Sequence, residues 1–338
     1  MPNFDAGSYF LTTLAPVQSG STTDAEGATV SWEERLRTVL AQLPTAMQSP
    51  ATVETGQNSP FARNRRTHLC RFVVIDNVID NGRPQRPALL NSIFGRDPIY
   101  PLPVDRLGSA YLLFTAEIDA LTEDGGPLPA TLTEAEQNAV RDAYAETLWA
   151  TMEPEVRRIW GCCVGFDTVT DGAGFARYLA RAQVETTMPF HDYWIDPPNL
   201  PQLPVIAMGA AVVVPLLLTL GSLLGFVLGW TPWLWLILGI LGTAGAVAWA
   251  YRLAMRRGEA PLPPPAFGDL PTVLKSLYLQ QQFIGFAGAH QSDDAAALHA
   301  AFGAFLGEHK PDDTNAPTQA PGHVSSAMPG AVVGGGQS

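Results

Sequence analysis

The chain has 338 residues, 46% of them hydrophobic and only 15% charged, with a net charge of −12. That length allows one globular domain of ordinary size plus further segments, and the acidic balance argues against electrostatic binding of nucleic acid. The three cysteines, Cys70, Cys162 and Cys163, include an adjacent pair, so they form no disulfide framework and fit a reducing cytoplasm.

In chain order, Met1-Pro2-Asn3-Phe4-Asp5 carries neither a basic region nor an apolar run, so the start does not read as a signal peptide. Residues 9–14 (YFLTTL) predict a first strand. Ser31 opens an amphipathic helix with Leu36, Val39, Leu40 and Leu43 on one face. Residues 67–76 (THLCRFVVID) and 110–119 (AYLLFTAEID) are rich in β-branched and aromatic residues and predict two central strands, separated by a long excursion over 77–107. Thr133 and Glu136 have capping-box spacing, and Val140, Tyr144, Leu148 and Met152 then recur every fourth residue, predicting a second helix that Pro154 ends or kinks. Residues 159–166 (IWGCCVGF) predict the last strand. The resulting order, strand–helix–strand–strand–helix–strand, is the βαββαβ pattern of a ferredoxin-like α+β domain over residues 1–200.

Between Asp196 and Arg252 the sequence contains no charged residue. One bilayer crossing needs about 20 apolar residues, and turn formers at Gly229-Trp230-Thr231-Pro232 break the stretch once. The expectation is a two-helix transmembrane hairpin over residues 203–251. Arg252, Arg256 and Arg257 follow it immediately, which places that flank, and with it both termini, on the cytoplasmic side of the inner membrane. Gly221, Gly225 and Gly229 stack on one face of the first span, which suits close packing within the hairpin, or association with a second copy or a membrane-complex partner. Neither span holds an ionisable residue, so the hairpin reads as an anchor and not as an ion pathway.

A proline-rich spacer occupies residues 252–268. A helical region follows over 269–309, with Asp269 as N-cap before Pro271, and Ser292 capping a second helix. These short apolar helices cannot bury themselves alone, so they are expected to dock on the N-terminal domain or on the membrane surface. Residues 310–338 are rich in Pro, Gly, Ala and Ser and are expected to be disordered.

THLCRFVVID, YLLFTAEID, IWGCCVGF and QVETTMPFHDYW together resemble a group of poorly characterised bacterial proteins of the ferredoxin-like, dimeric α/β-barrel type, over roughly residues 60–195. The resemblance implies the fold. The wider superfamily includes haem enzymes such as dye-decolourising peroxidases, but their distal GxxDG motif is missing: Asp124-Gly125 and Asp171-Gly172 lack the preceding glycine.

Candidate chemistry centres on His68, with Arg63, Arg65, Arg66 and Arg71 around it, a cluster that suits an anion, a phosphate or haem propionates. Against this stands a solvated arginine-rich loop and a satisfied structural histidine, since strand alternation puts His68 on one face with Cys70, Phe72 and Val74. His191 is the other candidate axial haem ligand, weighed against a place in an interfacial segment beside Tyr193 and Trp194. Glu117 and Asp119 end a strand on one face, a pairing that suits cation binding or acid–base work, weighed against solvated strand-end acids as the commoner outcome. No phosphate loop, dinucleotide fingerprint, zinc-protease helix or nucleophile elbow is present. Three function classes follow. One is a membrane-anchored cytoplasmic binding or scaffolding module; the alternative is a membrane-tethered, haem-dependent or other oxidoreductase-type enzyme; the third is the small subunit of a larger membrane complex.

Overall fold

The computed structural model describes residues 3–23, 27–44, 58–76, 88–95, 107–120, 128–186, 198, 202–230 and 232–322. Two units emerge, one formed by residues 194–263 and one by residues 2–193 together with 264–338. His191 and the excursion over 77–107, apart from residues 88–95 and 107, lie outside the described residues.

The larger unit is α+β and built on an antiparallel sheet. Strands β1 (Phe4–Asp5), β2 (Ser8–Pro16), β5 (Thr67–Ile75), β6 (Tyr111–Asp119) and β7 (Gln183–Val184) make the sheet, in the order β1-β2-β6-β5 with β7 also pairing β2. A separate small ribbon joins β3 (Ser21–Thr23) to β4 (Thr29–Ser31). The alternation expected of half-buried strands holds on the inner face: Tyr9, Leu11 and Ala15 of β2 and Leu112, Phe114, Ala116 and Ile118 of β6 are all buried. Cys70, Phe72 and Val74 of β5 pack against the same core.

Helices cover that face. The first, α1 (Trp32–Ala41), starts at Ser31, whose side chain accepts the Glu34 N–H at 3.0 Å, and buries Leu36 and Val39. After a single helical turn at Pro60–Arg63 and a short α2 (Ala88–Ile93), the main helix α3 runs Glu134–Trp160. Its N-terminus has the full Thr133/Glu136 capping box, and Val140, Tyr144, Leu148, Met152 and Val156 form its buried stripe. Pro154 lacks an N–H and crowds the preceding turn, so the helix kinks, with Met152 at φ −146°, ψ 36°.

Here one expectation fails. Ile159 and Trp160 are the last turn of α3, and the chain then turns through Phe166–Thr168 into α4 (Gly172–Ala182); residues 159–166 form no strand. The fourth strand is the two-residue β7 instead. Ile159, Trp160, Cys162, Cys163 and Phe166 of the run IWGCCVGF are buried while Val164 is exposed, and a short apolar run of this kind does not distinguish strand from buried helix end. Trp160 anchors the core with T-shaped contacts to Phe114 (5.3 Å) and Phe175 (5.0 Å).

After residue 264 the chain returns to this unit as α7 (Leu270–Ala289) and α8 (Ala295–His309). Asp269 caps α7 by accepting the Thr272 N–H at 3.1 Å. The cap of α8 is Asp294 and not Ser292, since the Asp294 carboxylate takes two N–H groups, of Ala296 and Ala297. Docking is on the N-terminal part: Leu270 and Leu274 are buried, and the Leu270 N–H donates to Asp119 Oδ2 at 3.0 Å. Residues 310–322, expected to be disordered, instead follow a defined path. Arg65 donates to the Thr314 carbonyl (2.6 Å) and Asn315 Oδ1 (3.1 Å), Lys275 Nζ to the carbonyls of His309 and Pro317 (2.7 Å each), and Asn58 to that of Pro321 (2.8 Å).

The second unit contains two helices long and apolar enough to cross a membrane, α5 (Val205–Val227) and α6 (Trp233–Gly258). At 1.5 Å per residue they are about 34 and 39 Å long, against a hydrocarbon core of about 30 Å. α6 continues past residue 251 and carries Arg252, Arg256 and Arg257 in its final turns. The two helices pack on each other through Thr219 and Thr243, whose hydroxyls lie 3.1 Å apart while each also donates to a carbonyl one turn back. Gly239 makes this approach possible, because a Cβ there would sit 2.6 Å from Thr219 Oγ1 and 3.0 Å from its Cα. The glycine stripe of α5 is divided by role. Gly225 is buried, Gly221 faces open space, and Gly229, at φ +75°, ends the helix with the Trp230 N–H reaching the Gly225 carbonyl at 2.7 Å.

Candidate ligand-binding cavity

The candidate site grows from a local irregularity in β5. Thr67 faces Ile118 and Leu69 faces Glu117, so His68 is an extra residue bulged out of the ladder. The bulge removes His68 from the face it would share with Cys70 and Phe72. Its side chain turns to the end of β6, where Nε2 lies 2.7 Å from Asp119 Oδ1, and both side chains are essentially without exposure. Just upstream, the Asn64 side chain accepts the N–H groups of Arg66 and Thr67, and Thr67 Oγ1 meets the Tyr144 hydroxyl at 2.9 Å.

Beside this bulge lies a cavity of about 540 Å³. Residues 67–72 of β5 form its floor. Pro60 and Phe61 line it together with Leu40 of α1 and Leu43 just beyond that helix, and so do Gln319, Pro321 and Gly322, whose segment is held beside Pro60 by the Asn58 hydrogen bond to the Pro321 carbonyl. The opposite wall is α7, whose Leu270, Val273, Leu274 and Leu277 fall at i, i+3, i+4 and i+7 and so form one helical face. The lining is dominated by carbon. Its polar members include His68, Cys70 and Arg71, and burial pushes the Cys70 thiol up to about 12. A thiol so shifted is protonated at neutral pH and is no nucleophile.

The arginines expected around His68 are dispersed among structural tasks. Arg63 makes a two-pronged pair with Glu155 (2.8 and 3.1 Å) and caps the Thr151 carbonyl. Arg65 holds the 314–315 segment, and buried Arg66 donates to the Asp119 carbonyl at 3.2 Å. Arg71 alone of the four lines the cavity, exposed and with no side-chain partner among the described residues. Glu117 and Asp119 part company as well: Asp119 is fully buried and Glu117 is not.

These residues do not fit a haem site. The His68 nitrogen that most often ligates haem iron is occupied by Asp119, and three of the four arginines that would meet propionates are engaged elsewhere. Among the described residues no group of three or more His, Cys, Asp or Glu side chains is placed to hold a metal ion. Asp119, expected to be a solvated strand-end acid, is instead the buried partner of His68. Its signal was a strand-end acid beyond Ile118, in a strand whose even positions are all apolar, with a histidine on the neighbouring strand. The apolar residues of α7 signal that it must dock, but that it docks against β5, some two hundred residues away and across the hairpin, has no local signal. Comparison of the chain with family models, with curated proteins and with solved structures finds no match.

Proposed function

We propose that this protein is a membrane-anchored, cytoplasm-facing binding or scaffolding module, in which a ferredoxin-like domain holds a ligand in the cavity between β5 and α7. The observation that carries this reading is the cavity itself: about 540 Å³, walled mainly by apolar side chains, and built jointly by the two chain segments that flank the hairpin. The ferredoxin-like assignment is supported by the strand sequence β7-β2-β6-β5, antiparallel at each pairing, with α1, α3 and α4 interspersed as a βαββαβ unit requires. Anchoring in a lipid bilayer is supported by the length of α5 and α6 and by how little of either is buried, and the cytoplasmic orientation by the arginines at the end of α6.

The test is purification of the full chain from its native membranes in mild detergent, beside a Leu277→Trp variant. Leu277 is half-exposed at the cavity rim, so the indole blocks the space without entering the core. Mass spectrometry should recover a species bound to the wild type and lost from the variant. Identical inventories would overturn the binding-module reading. A Soret band in the purified protein would move the assignment to the haem-enzyme alternative.

A further inference from the structure

The cavity runs along a sheet edge. Six consecutive residues of β5 line it, so both faces of the strand contribute, and what they share is the backbone. Among the described residues β5 pairs with β6 alone. An antiparallel ladder on one side leaves the N–H and C=O of every second residue directed to the other. Apart from that ladder, no hydrogen bond engages Leu69, Cys70, Arg71, Phe72 or Val73 among the described residues. Among the described residues the groove therefore has three features: a strand edge without a partner strand, a helix with an apolar stripe, and a guanidinium without a side-chain partner at Arg71.

We infer that this groove takes an extended peptide of a partner protein, which adds as a strand to the free edge of β5, directs apolar side chains toward α7 and sets a carboxylate on Arg71. The inference rests on the binding-module reading and specifies its ligand. An acyl chain is the rival occupant of an apolar cavity, and the backbone decides between them. Hydrocarbon packed along β5 would strip water from the edge N–H and C=O groups without replacing their hydrogen bonds, which is unfavourable for each group so stripped. A peptide strand pairs with those groups and still offers alternate side chains to the apolar wall, the mode of recognition known as strand addition. The guanidinium favours an acidic partner because nothing in the described chain neutralises it, and a carboxylate matches its planar donors.

The experiment is selection from a displayed library of random peptides on the full chain in lipid nanodiscs, with Leu277→Trp as the blocked control. Peptides with alternating apolar residues and an acidic position should enrich on the wild type and not on the control. N-methylation of alternate backbone amides in a selected peptide should weaken it by about tenfold or more, and Arg71→Glu should lose the acidic preference. Selected peptides that bind the blocked control equally, or that tolerate N-methylation at every position, would overturn strand addition. If no peptide enriches but native membranes still yield a lipid lost on Leu277→Trp, the peptide falls and the module reading stands. If the native inventories also match, both fall.

Discussion

His68 and Asp119 meet at 2.7 Å with no solvent on either side chain, and the other oxygen of the same carboxylate accepts the first N–H of α7. One buried group thus closes the bulge in β5, the end of β6 and the N-terminus of a helix that follows the hairpin. Asp119→Ala leaves a buried imidazole and a buried amide without that acceptor, at about 1–3 kcal/mol each, so a loss of roughly 2–6 kcal/mol is expected. Chemical denaturation measures it. Trypsin cleavage at Arg256 or Arg257 offers a second readout: the C-terminal fragment should stay bound in the wild type and separate in the variant. Asp119→Asn, which keeps one acceptor, should fall between.

Much of the larger unit is legible in the residues because its signals are local. The capping box at Thr133 and Glu136, the four-residue stripe from Val140 to Met152 and the N-caps Ser31 and Asp269 each act within one turn of helix, and each is found where the spacing puts it. What is not legible depends on contacts distant in sequence. A bulge at His68 is set by pairing with a strand about fifty residues away, and one inserted residue rotates the side chain off its expected face. Ile159 to Phe166 reads as a strand because a short, nearly continuous apolar run carries no periodicity to separate a strand from a buried helix end. The scattering of Arg63, Arg65 and Arg66 could not be read either, since Glu155, Thr314 and Asp119 lie far along the chain.

Arg63 is expected to behave as a structural cation and not as a ligand contact. Burial works to raise the Glu155 carboxyl, but hydrogen bonds and charge from Arg63 outweigh it and hold the group below the ordinary carboxylate range. A carboxyl depressed in the folded state stabilises the fold above its unfolded pKa, and that contribution is lost as pH falls through the depressed value. The pair is partly exposed, so Arg63→Ala should cost only about 0.5–1 kcal/mol. The exchange Arg63→Glu with Glu155→Arg should recover most of it, whereas binding measured in the selected peptides should not change in either variant.

The thiols supply an alkaline signature. Burial pushes both Cys70 and Cys163 up from an ordinary value of 9.0 to about 12. A group whose folded pKa is raised contributes stability that is complete below its unfolded pKa, so this contribution is present at neutral pH and declines as pH rises from about 9 through about 12. Unfolding free energy should therefore fall across that window. At neutral pH both thiols should resist iodoacetamide until denaturant is added. Cys70 lines the cavity and Cys163 does not, so a bound peptide should slow the residual labelling of Cys70 alone.

Gly239 and Gly221 separate two uses of small residues in the hairpin. A side chain at Gly239 meets the backbone of α5 at Thr219, which cannot yield as the end of a flexible side chain would. Gly239→Leu should splay the helices at a cost of about 1–3 kcal/mol, and the disulfide between Thr219→Cys and Thr243→Cys, expected to form readily in the parent hairpin, should then fail to form. At Gly221 there is open space, so Gly221→Leu should leave that disulfide intact. If the same substitution abolishes cross-linking between copies in native membranes, the open face of α5 is a surface for association. If cross-linking between copies is absent in the parent as well, the glycines serve the hairpin alone, through Gly225 inside it and Gly229 at its turn.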